Sequence, residues 1–273
     1  MSRGLLFRAC CVVLLCYVAV AVFAPWLAPY DPLAVTGKPF TPPDKAHPLG
    51  TNATGQDILS QMIYGTRVTL LVGFGAALIS CTLSTGIGVL TGYYGGILDE
   101  VSMRAIDIFM TIPLFPLILV LTLFFTPGIF TVGFLMGILG STHGVRIIRS
   151  QVMSLRQANF IEGARAIGAG DLHIISRHII PNILPVVTVK FVSSAQNYLL
   201  MGVGVSFLGL GDPLVVDWGQ MIQAAYSSGG FALGLWWWLL PPGLAVVGIS
   251  LALALIGYSS EDEINPRLEV SQI

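Results

Sequence analysis

Long apolar runs alternate with short polar segments along the whole chain. About six of these runs are long enough, or nearly long enough, to cross the roughly 30 Å hydrocarbon core of a bilayer as helices. They cover residues 5–24, 68–92, 106–125, 129–142, 186–210 and 235–258. The fourth run is so short that it must include flanking residues or pack wholly inside a bundle. The pattern predicts an all-α, polytopic helical membrane protein.

The first apolar run has two interpretations. Arg3 and Arg8 are followed by the apolar stretch from Ala9 to Ala24, with small residues near its end, which is the pattern of a secretory signal. The alternative is a retained first transmembrane helix. The sequence favours this alternative, because the run from Leu5 approaches spanning length and Pro25, directly after Ala24, disfavours cleavage there.

Composition divides the chain into three parts. Residues 1–66 hold the first helix and an extracytoplasmic segment rich in proline and polar residues, which predicts little regular structure until Gln56. Residues 67–260 hold five further spans and a polar loop at about 143–185, and residues 261–273 form a polar tail. A short helix outside the membrane is predicted to present Trp218, Met221, Ile222 and Ala225 to the bilayer or to a partner.

The basic residues are distributed unevenly between the two sides of the predicted spans. With the N-terminus in the cytoplasm, the inside set is Arg3, Arg8, Arg104, Arg146, Arg149, Arg156, Arg165, Arg177, Lys190 and Arg267, and the outside set is Lys38, Lys45 and Arg67. Short cytoplasmic loops carry the excess of Lys and Arg in membrane proteins. We therefore expect both termini and the polar loop to be cytoplasmic.

Composition also excludes several classes of protein. Of the 273 residues, 55% are hydrophobic and only 10% are charged, which rules out an ordinary soluble domain. The net charge of −1 and the lack of a basic patch argue against a nucleic-acid partner. The four cysteines lie inside apolar runs, so they indicate packing rather than a disulfide framework or a metal site.

Polar side chains occur within the fifth predicted span. Ser193, Gln196 and Asn197 would be costly on a lipid-facing surface, so they are expected to face the bundle. Two roles stay open for them, namely hydrogen bonds between helices and the lining of a translocation path.

The third predicted span contains two prolines. Pro113 and Pro116 predict a kink, because each removes a helical hydrogen bond. At the mouth of the same span, Asp107 is expected to pair with Arg104 across one helical turn.

The segment from Leu155 to Asn182 is a polar island between apolar runs. A first helix is predicted up to Ile167, with Phe160, Ala164 and Ile167 on one side and Glu162 placed to pair with Arg165. Gly168 is expected to end this helix, either because the position needs a left-handed conformation or because it needs room for a close approach.

A second, short amphipathic helix is predicted after the glycine turn. Asp171 would cap it, Leu172, Ile175 and Ile179 would share one face, Arg177 and His178 would lie at its negative end, and Pro181 would stop it. Such a short helix cannot bury its own apolar face. The unit is either an ordinary polar loop or a docking element.

Several residues of this island resemble a known signature. Glu162, Ala164, Gly168, Ile180 and Pro181 are similar to the EAA motif of binding-protein-dependent ABC importer permeases, although Gly163 stands where that motif has its first alanine. The stretches 47–67 and 202–211 resemble the peptide and nickel branch of the family, with Gln56 in place of the usual basic residue.

The resemblance implies a type I importer permease fold with cytoplasmic coupling helices, in the inner membrane of a prokaryote. It further implies three kinds of partner besides the lipid bilayer: a second homologous permease, two ATPase subunits and an extracytoplasmic solute-binding protein. The residues implied in ATPase coupling are Glu162, Ala164, Gly168, Asp171, Arg177, His178 and Pro181. Peptides lead as the transported solute, and nickel or a nickel chelate is the alternative.

The chain lacks the motifs of an ATPase. A phosphate-binding loop would end in Lys-Ser or Lys-Thr, whereas Lys38, Lys45 and Lys190 are followed by proline, alanine and phenylalanine. No cofactor is therefore expected in this chain, and ATP and Mg²⁺ are expected on the partner ATPases. A secondary transporter or channel is the alternative of a different class, but such a protein needs no exposed docking loop.

Overall fold

The described chain is built from α-helices, as the apolar pattern predicted. The computed structural model describes residues 3–125 and 128–264, so most of the predicted tail 261–273 lies outside the described residues. In chain order the helices are α1 (Arg3–Leu27), α2 (Ile58–Tyr94), α3 (Gly96–Met110), α4 (Leu114–Thr122), α5 (Ile129–Arg156), α6 (Asn159–Ala166), α7 (Asp171–Ile174), α8 (Ile180–Val205), α9 (Trp218–Ser227) and α10 (Trp236–Ile264). π-helical turns connect α7 to α8 at Ile175–Ile179 and end α8 at Ser206–Leu210.

Five helical stretches are long and apolar enough to cross a membrane. They are Leu5–Leu27, Ile58–Tyr94, Ile129–Arg156, Asp171–Leu210 and Trp236–Ser259. A sixth span results if α3 and α4, which are bent by 79° at a short break, are counted as one. The predicted fold class, a polytopic helical bundle with about six spans, is confirmed.

The third span is broken rather than kinked. Helix α3 ends at Met110 and α4 begins at Leu114, with Pro113 in an extended conformation (φ −60°, ψ 125°) between them. Proline has no N–H to donate and disfavours a helical residue before it. The predicted disturbance at Pro113 is therefore confirmed, and its effect is a complete interruption.

The fourth span continues far beyond its predicted end. Helix α5 has 28 residues and a length of about 42 Å, and it does not stop at Thr142. Gly144, Val145, Ile148 and Val152 extend its buried face at helical spacing, so the helix keeps its packing although Arg146 and Arg149 are polar. The expectation that the polar loop starts near residue 143 was wrong by about four turns.

Helices α2 and α5 form the most extensive helix contact in the described chain. Small residues allow their backbones to approach closely. A Cβ atom on Gly88 would lie 2.8 Å from Cβ of Ile148, and one on Gly137 would lie 2.9 Å from the carbonyl oxygen of Ala76. No larger residue fits at either place without moving a helix.

The segment between α1 and α2 folds without regular helices, as expected. Asp57 is fully buried and begins α2, because its Oδ2 accepts hydrogen bonds from the backbone N and from Oγ of Ser60, both at 2.7 Å. Its Oδ1 lies 2.9 Å from Nδ1 of His47. These contacts fix the loop before α2 to the end of the helix.

Helix α9 packs into the protein rather than onto the bilayer. Trp218, Met221 and Ala225 are buried, and the indole Nε1 of Trp218 donates to the carbonyl of Met62 in α2 at 3.2 Å. The predicted apolar face of α9 is present, but it packs against α2, α8 and α10. The expected contact with bilayer or partner was wrong, because the chain itself covers this surface.

Asp217 begins α9 from a buried position. Its Oδ1 accepts hydrogen bonds from the backbone N of Gly219 at 2.8 Å and of Gln220 at 3.1 Å. Burial raises the pKa of its carboxyl group to about 6, against the lowering effect of these hydrogen bonds. The carboxyl group therefore takes up a proton more readily in the folded chain than in the unfolded chain.

We predict that Asp217 makes the free energy of unfolding depend on pH. The group favours the folded state fully below its unfolded pKa of about 4, and this contribution of about 3 kcal/mol is lost as the pH rises to about 6. Asp217→Asn retains the cap but cannot ionise. Unfolding of the purified protein between pH 4 and pH 7 checks this. An unchanged pH slope in Asp217→Asn would contradict it.

Candidate functional site

The polar island folds as a compact unit at one end of the α2 and α5 pair. Helix α5 ends at Arg156, and Ala158 is extended (φ −77°, ψ 142°) before α6 begins. Leu155 was predicted to belong to the first loop helix, but it lies in the last turn of α5. The unit thus consists of α6, a glycine turn and α7, and we call residues 157–174 the docking loop.

Gly168 has a left-handed conformation, the first of the two alternatives that the sequence left open, with φ of 88°. Its N–H donates to the carbonyl of Arg165 at 2.9 Å, and the N–H of Ala169 donates to the carbonyl of Ala164 at 3.0 Å. This pair of bonds is the Schellman termination of a helix. A Cβ at Gly168 would meet no atom within 4 Å, so backbone conformation alone, and not space, requires glycine.

Asp171 does not cap the second helix as predicted. Gly170 precedes α7, and Asp171 is its first residue. Its Oδ1 instead accepts a hydrogen bond of 2.6 Å from the hydroxyl of Tyr93, at the end of α2. Asp171 lies in the first turn of α7, where negative charge is favourable, and its side chain makes this contact with α2 rather than a capping bond.

Arg165 also contacts Tyr93. Its guanidinium carbon lies 5.4 Å from the centre of the Tyr93 ring, which is cation–π distance. No ion pair joins Arg165 to Glu162 in the described chain, so that predicted pair was wrong. Tyr93 is only 3% exposed and thus links α2 to both halves of the docking loop. Nothing in the sequence pattern indicated that Tyr93 contacts this unit.

Pro181 does not stop the second helix. The helix continues from α7 through the π-helical turn Ile175–Ile179 into α8, and Pro181 lies in the first turn of α8. The N–H of Ile180 donates to the carbonyl of Ile175, one residue further back than in an α-helix. The wider turn accommodates the proline ring, and the side chain of Asn182 donates to the carbonyl of His178 at 2.5 Å.

The docking loop buries only half of the residues on its two predicted apolar faces. Ala164, Ile175 and Ile179 are buried together with Ile161 and Ile174 against the ends of α2 and α5. The other members of the predicted faces, Phe160, Ile167 and Leu172, are 48%, 88% and 81% exposed.

The predicted coupling residues lie mostly on the outer surface of this unit. Glu162, Gly168, Asp171, Arg177 and Pro181 are exposed, His178 is half-buried and Ala164 is buried. Between them the two large apolar side chains Ile167 and Leu172 flank the Gly168 turn. Exposed apolar side chains of this size make the turn a candidate contact surface.

Ion pairs attach α3 to α5 beside the docking loop. Arg149 forms two bonds to Asp99, of 2.5 Å from Nε and 2.6 Å from Nη2, and Arg146 pairs with Asp107. The predicted pair of Asp107 with Arg104 was wrong, since Arg104 is 4.0 Å from Glu100 instead. Because α5 continues to Arg156, its basic residues reach α3, which a shorter span would not allow.

The polar residues of the fifth span have different environments. Nε2 of Gln196 donates to Oγ of Ser250 in α10 at 3.4 Å, whereas Asn197 is exposed and Ser193 is half-buried. Lys190, counted with the loop in the sequence, lies within α8 and donates to Oγ of Ser194 at 2.8 Å. The structure thus gives Gln196 an interhelical contact and leaves Asn197 on the surface of the bundle.

Comparison with known proteins identifies the class. Residues 84–270 match the family of binding-protein-dependent transport system inner membrane components. Residues 6–44 match the N-terminal transmembrane domain of oligopeptide transport permease C. The chain therefore belongs to the binding-protein-dependent transport permeases, and it is a multi-pass membrane subunit for transport rather than an enzyme.

Individual relatives cover nearly the whole chain. The dipeptide transport system permease protein DppC of Haemophilus influenzae is 31% identical over 92% of this chain and 86% of its own length. A putative peptide transport system permease protein of Brucella suis is 33% identical over 97% and 88%. The probable D,D-dipeptide transport system permease protein DdpC of Escherichia coli is 29% identical over 94% and 86%.

We predict that the Tyr93 hydroxyl stabilises the docking loop on α2. Tyr93→Phe removes the bond to Asp171 but keeps the ring under Arg165, so local opening of the loop should become easier by about 1 kcal/mol. Amide hydrogen exchange in residues 159–174 should accelerate about fivefold. Tyr94→Phe is the matched control, because Tyr94 is the exposed neighbour in the same helix. Equal exchange in the two variants would refute the role of the hydroxyl.

Proposed function

We propose that this chain is one permease subunit of an ATP-driven ABC importer of dipeptides or oligopeptides. The observation that carries this proposal is the docking loop, a folded unit with an exposed apolar tip in a chain of the binding-protein-dependent family. The relatives named as peptide or dipeptide permeases support peptides as the solute. No observation favours the nickel alternative, and the family membership argues against a secondary transporter or channel.

We propose that the docking loop transmits the conformational changes of a partner ATPase to the membrane-spanning helices. Ile167 and Leu172 would insert into a groove of that ATPase, while Glu162, Arg177 and His178 would lie around them as polar contacts. The sequence has no phosphate-binding loop of its own. In this proposal ATP and Mg²⁺ are bound by two ATPase subunits, and the chain itself holds neither.

The connections of the docking loop suggest how its movement reaches the membrane. Helix α7 runs without a break into α8, so a tilt of the loop tilts the stretch Asp171–Leu210. Tyr93 connects the same loop to α2. Helices α2 and α8 would then rock as one half of the protein against a second, homologous permease, which is alternating access around a shared path.

The translocation path is assigned to the surface between the two permeases. Asn197 is exposed on α8, and we propose it as a path residue, with Ser193 and Gln196 nearer to the interface with α10. An uncharged peptide group can hydrogen-bond to such amide and hydroxyl side chains without a fixed charge to trap it. A solute-binding protein would deliver the peptide from the extracytoplasmic side.

The proposed orientation puts the docking loop and both termini in the cytoplasm of a prokaryotic cell. The unequal distribution of basic residues supports it. Ser176 is exposed beside the docking loop. In a variant without native cysteines, Ser176→Cys should resist an impermeant thiol reagent in intact cells and react after permeabilisation. Labelling of Ser176→Cys in intact cells would place the docking loop outside the cytoplasm and contradict the proposed orientation.

We predict that Gly168→Asp abolishes uptake while the protein still inserts into the membrane. A non-glycine residue at φ of 88° costs about 1–2 kcal/mol, which shifts the termination of α6 and the tip of the docking loop. The complex should be expressed and should pair with the second permease, but it should retain its ATPases poorly. Glu162→Ala should be milder, because it leaves the turn intact.

Gly170→Asp is the matched control for this variant. It adds the same charge two residues away, at φ of −73° and with no atom within 4 Å of the new Cβ, so it causes no backbone strain. Aspartate is moreover a favourable residue before a helix. Normal uptake and ATPase retention by Gly168→Asp at wild-type expression would show that the docking loop does not couple the ATPases.

A further inference from the structure

A long apolar groove runs between α1 and α2 on the outside of the bundle. Its volume is about 590 Å³, and its walls are almost entirely apolar side chains from α1, α2 and α8. Val22, Leu71 and Leu78 on these walls are 59%, 55% and 62% exposed. The exposed apolar surface faces the bilayer in a chain that spans it, so the occupant must be apolar along most of its length.

The length of the groove matches one leaflet of a bilayer. It follows α2 from Arg67 to Leu78, and eleven residues of helix rise about 17 Å. The hydrocarbon core is roughly 30 Å thick, so one leaflet contributes about half of that depth. An acyl chain of one lipid therefore fits the groove from end to end.

Arg67 is the charged residue of the groove and lies at one end of it. Its side chain is exposed, and no acidic side chain in the described ranges forms an ion pair with it. Arg67 directly precedes the apolar run 68–92 of α2, so its guanidinium is expected where headgroups meet acyl chains. An unpaired guanidinium at this depth attracts a phosphate, with which it can form two parallel hydrogen bonds.

Gly75 keeps the middle of the groove open. A Cβ on this residue would have no atom within 4 Å, whereas a Cβ on Gly73, two residues earlier, would lie 2.9 Å from Cβ of Leu199. The helix thus carries one glycine for close packing and another that faces the empty groove. A larger side chain at Gly75 would fill this space without straining the backbone.

We propose that this groove binds one anionic phospholipid. Its phosphate lies at Arg67 and one acyl chain follows α2 past Gly75 to Leu78. The lipid belongs to the leaflet next to the segment between α1 and α2. A helix of another protein could also cover apolar walls, but it would have to bring an acidic side chain to Arg67, whereas an anionic phospholipid carries its own charge. The inference does not depend on which solute the protein transports.

Native mass spectrometry of the purified full chain tests the proposal. The protein is exchanged into micelles that contain equal amounts of phosphatidylglycerol and phosphatidylcholine, and the retained lipids are counted. The wild type should retain phosphatidylglycerol preferentially. Arg67→Gln should reduce this preference about fivefold, which corresponds to one basic residue at a membrane surface. Lys45→Gln, an exposed cation outside the groove, should leave it unchanged.

A second variant tests the contribution of the apolar groove separately from that of the Arg67 charge. Gly75→Leu should reduce retention of both lipids, because its side chain occupies the groove. Gly243→Leu is the control, since Gly243 is an open glycine of α10 that lies outside the groove. Should Gly75→Leu fail to accumulate, Val22→Phe fills the same groove from α1.

Two results would overturn the proposal. One is the same lipid preference in Arg67→Gln and the wild type. The other is unchanged lipid retention in Gly75→Leu together with loss of co-purification with a second permease, which would assign the groove to a partner helix.

Discussion

The close packing of α2 on α5 is the constraint on which the rest of the structure depends. Gly88 and Gly137 let the two helices approach to a distance at which a single added methyl group would collide with the neighbouring chain. This contact requires α5 to stay helical well beyond the apolar core. The ends of both helices then form one apolar platform, from Val89 and Tyr93 on one side and Ile148 and Val152 on the other, on which the docking loop packs.

Three sets of local contacts hold the docking loop in place. The Schellman bonds at Gly168 fix the angle between α6 and α7, the buried isoleucines fix the loop on the platform, and Tyr93 connects both halves of the loop to α2. A loop that only covered the end of the bundle would not need Ile167 and Leu172 exposed at its tip. The loop is continuous with α8 through the π-helical turn Ile175–Ile179.

Two prolines show how context decides the effect of one residue type. Pro113 lies at a complete break between α3 and α4, where the chain turns by 79°. Pro181 interrupts nothing, because the π-helical turn before it shifts the bonding pattern and Asn182 satisfies a carbonyl of the same turn. The sequence predicted a kink at Pro113 and the end of a helix at Pro181, whereas the structure has a break at the first and a continuous helix at the second.

The sequence by itself determined the class of the protein, the number of spans and the helix end at Gly168, because these depend on composition, run length and the intrinsic conformations of single residues. The end of α5, the buried face of the docking loop, the partners of Asp107, Arg165 and Asp171, and the burial of α9 were decided only by the tertiary structure. Each of these depends on which surface another helix presents. The polar stretch after Thr142 looks like a loop until the face of α2 opposite it is known, and Asp171 looks like a cap until the Tyr93 hydroxyl, far away in the chain, lies 2.6 Å from it.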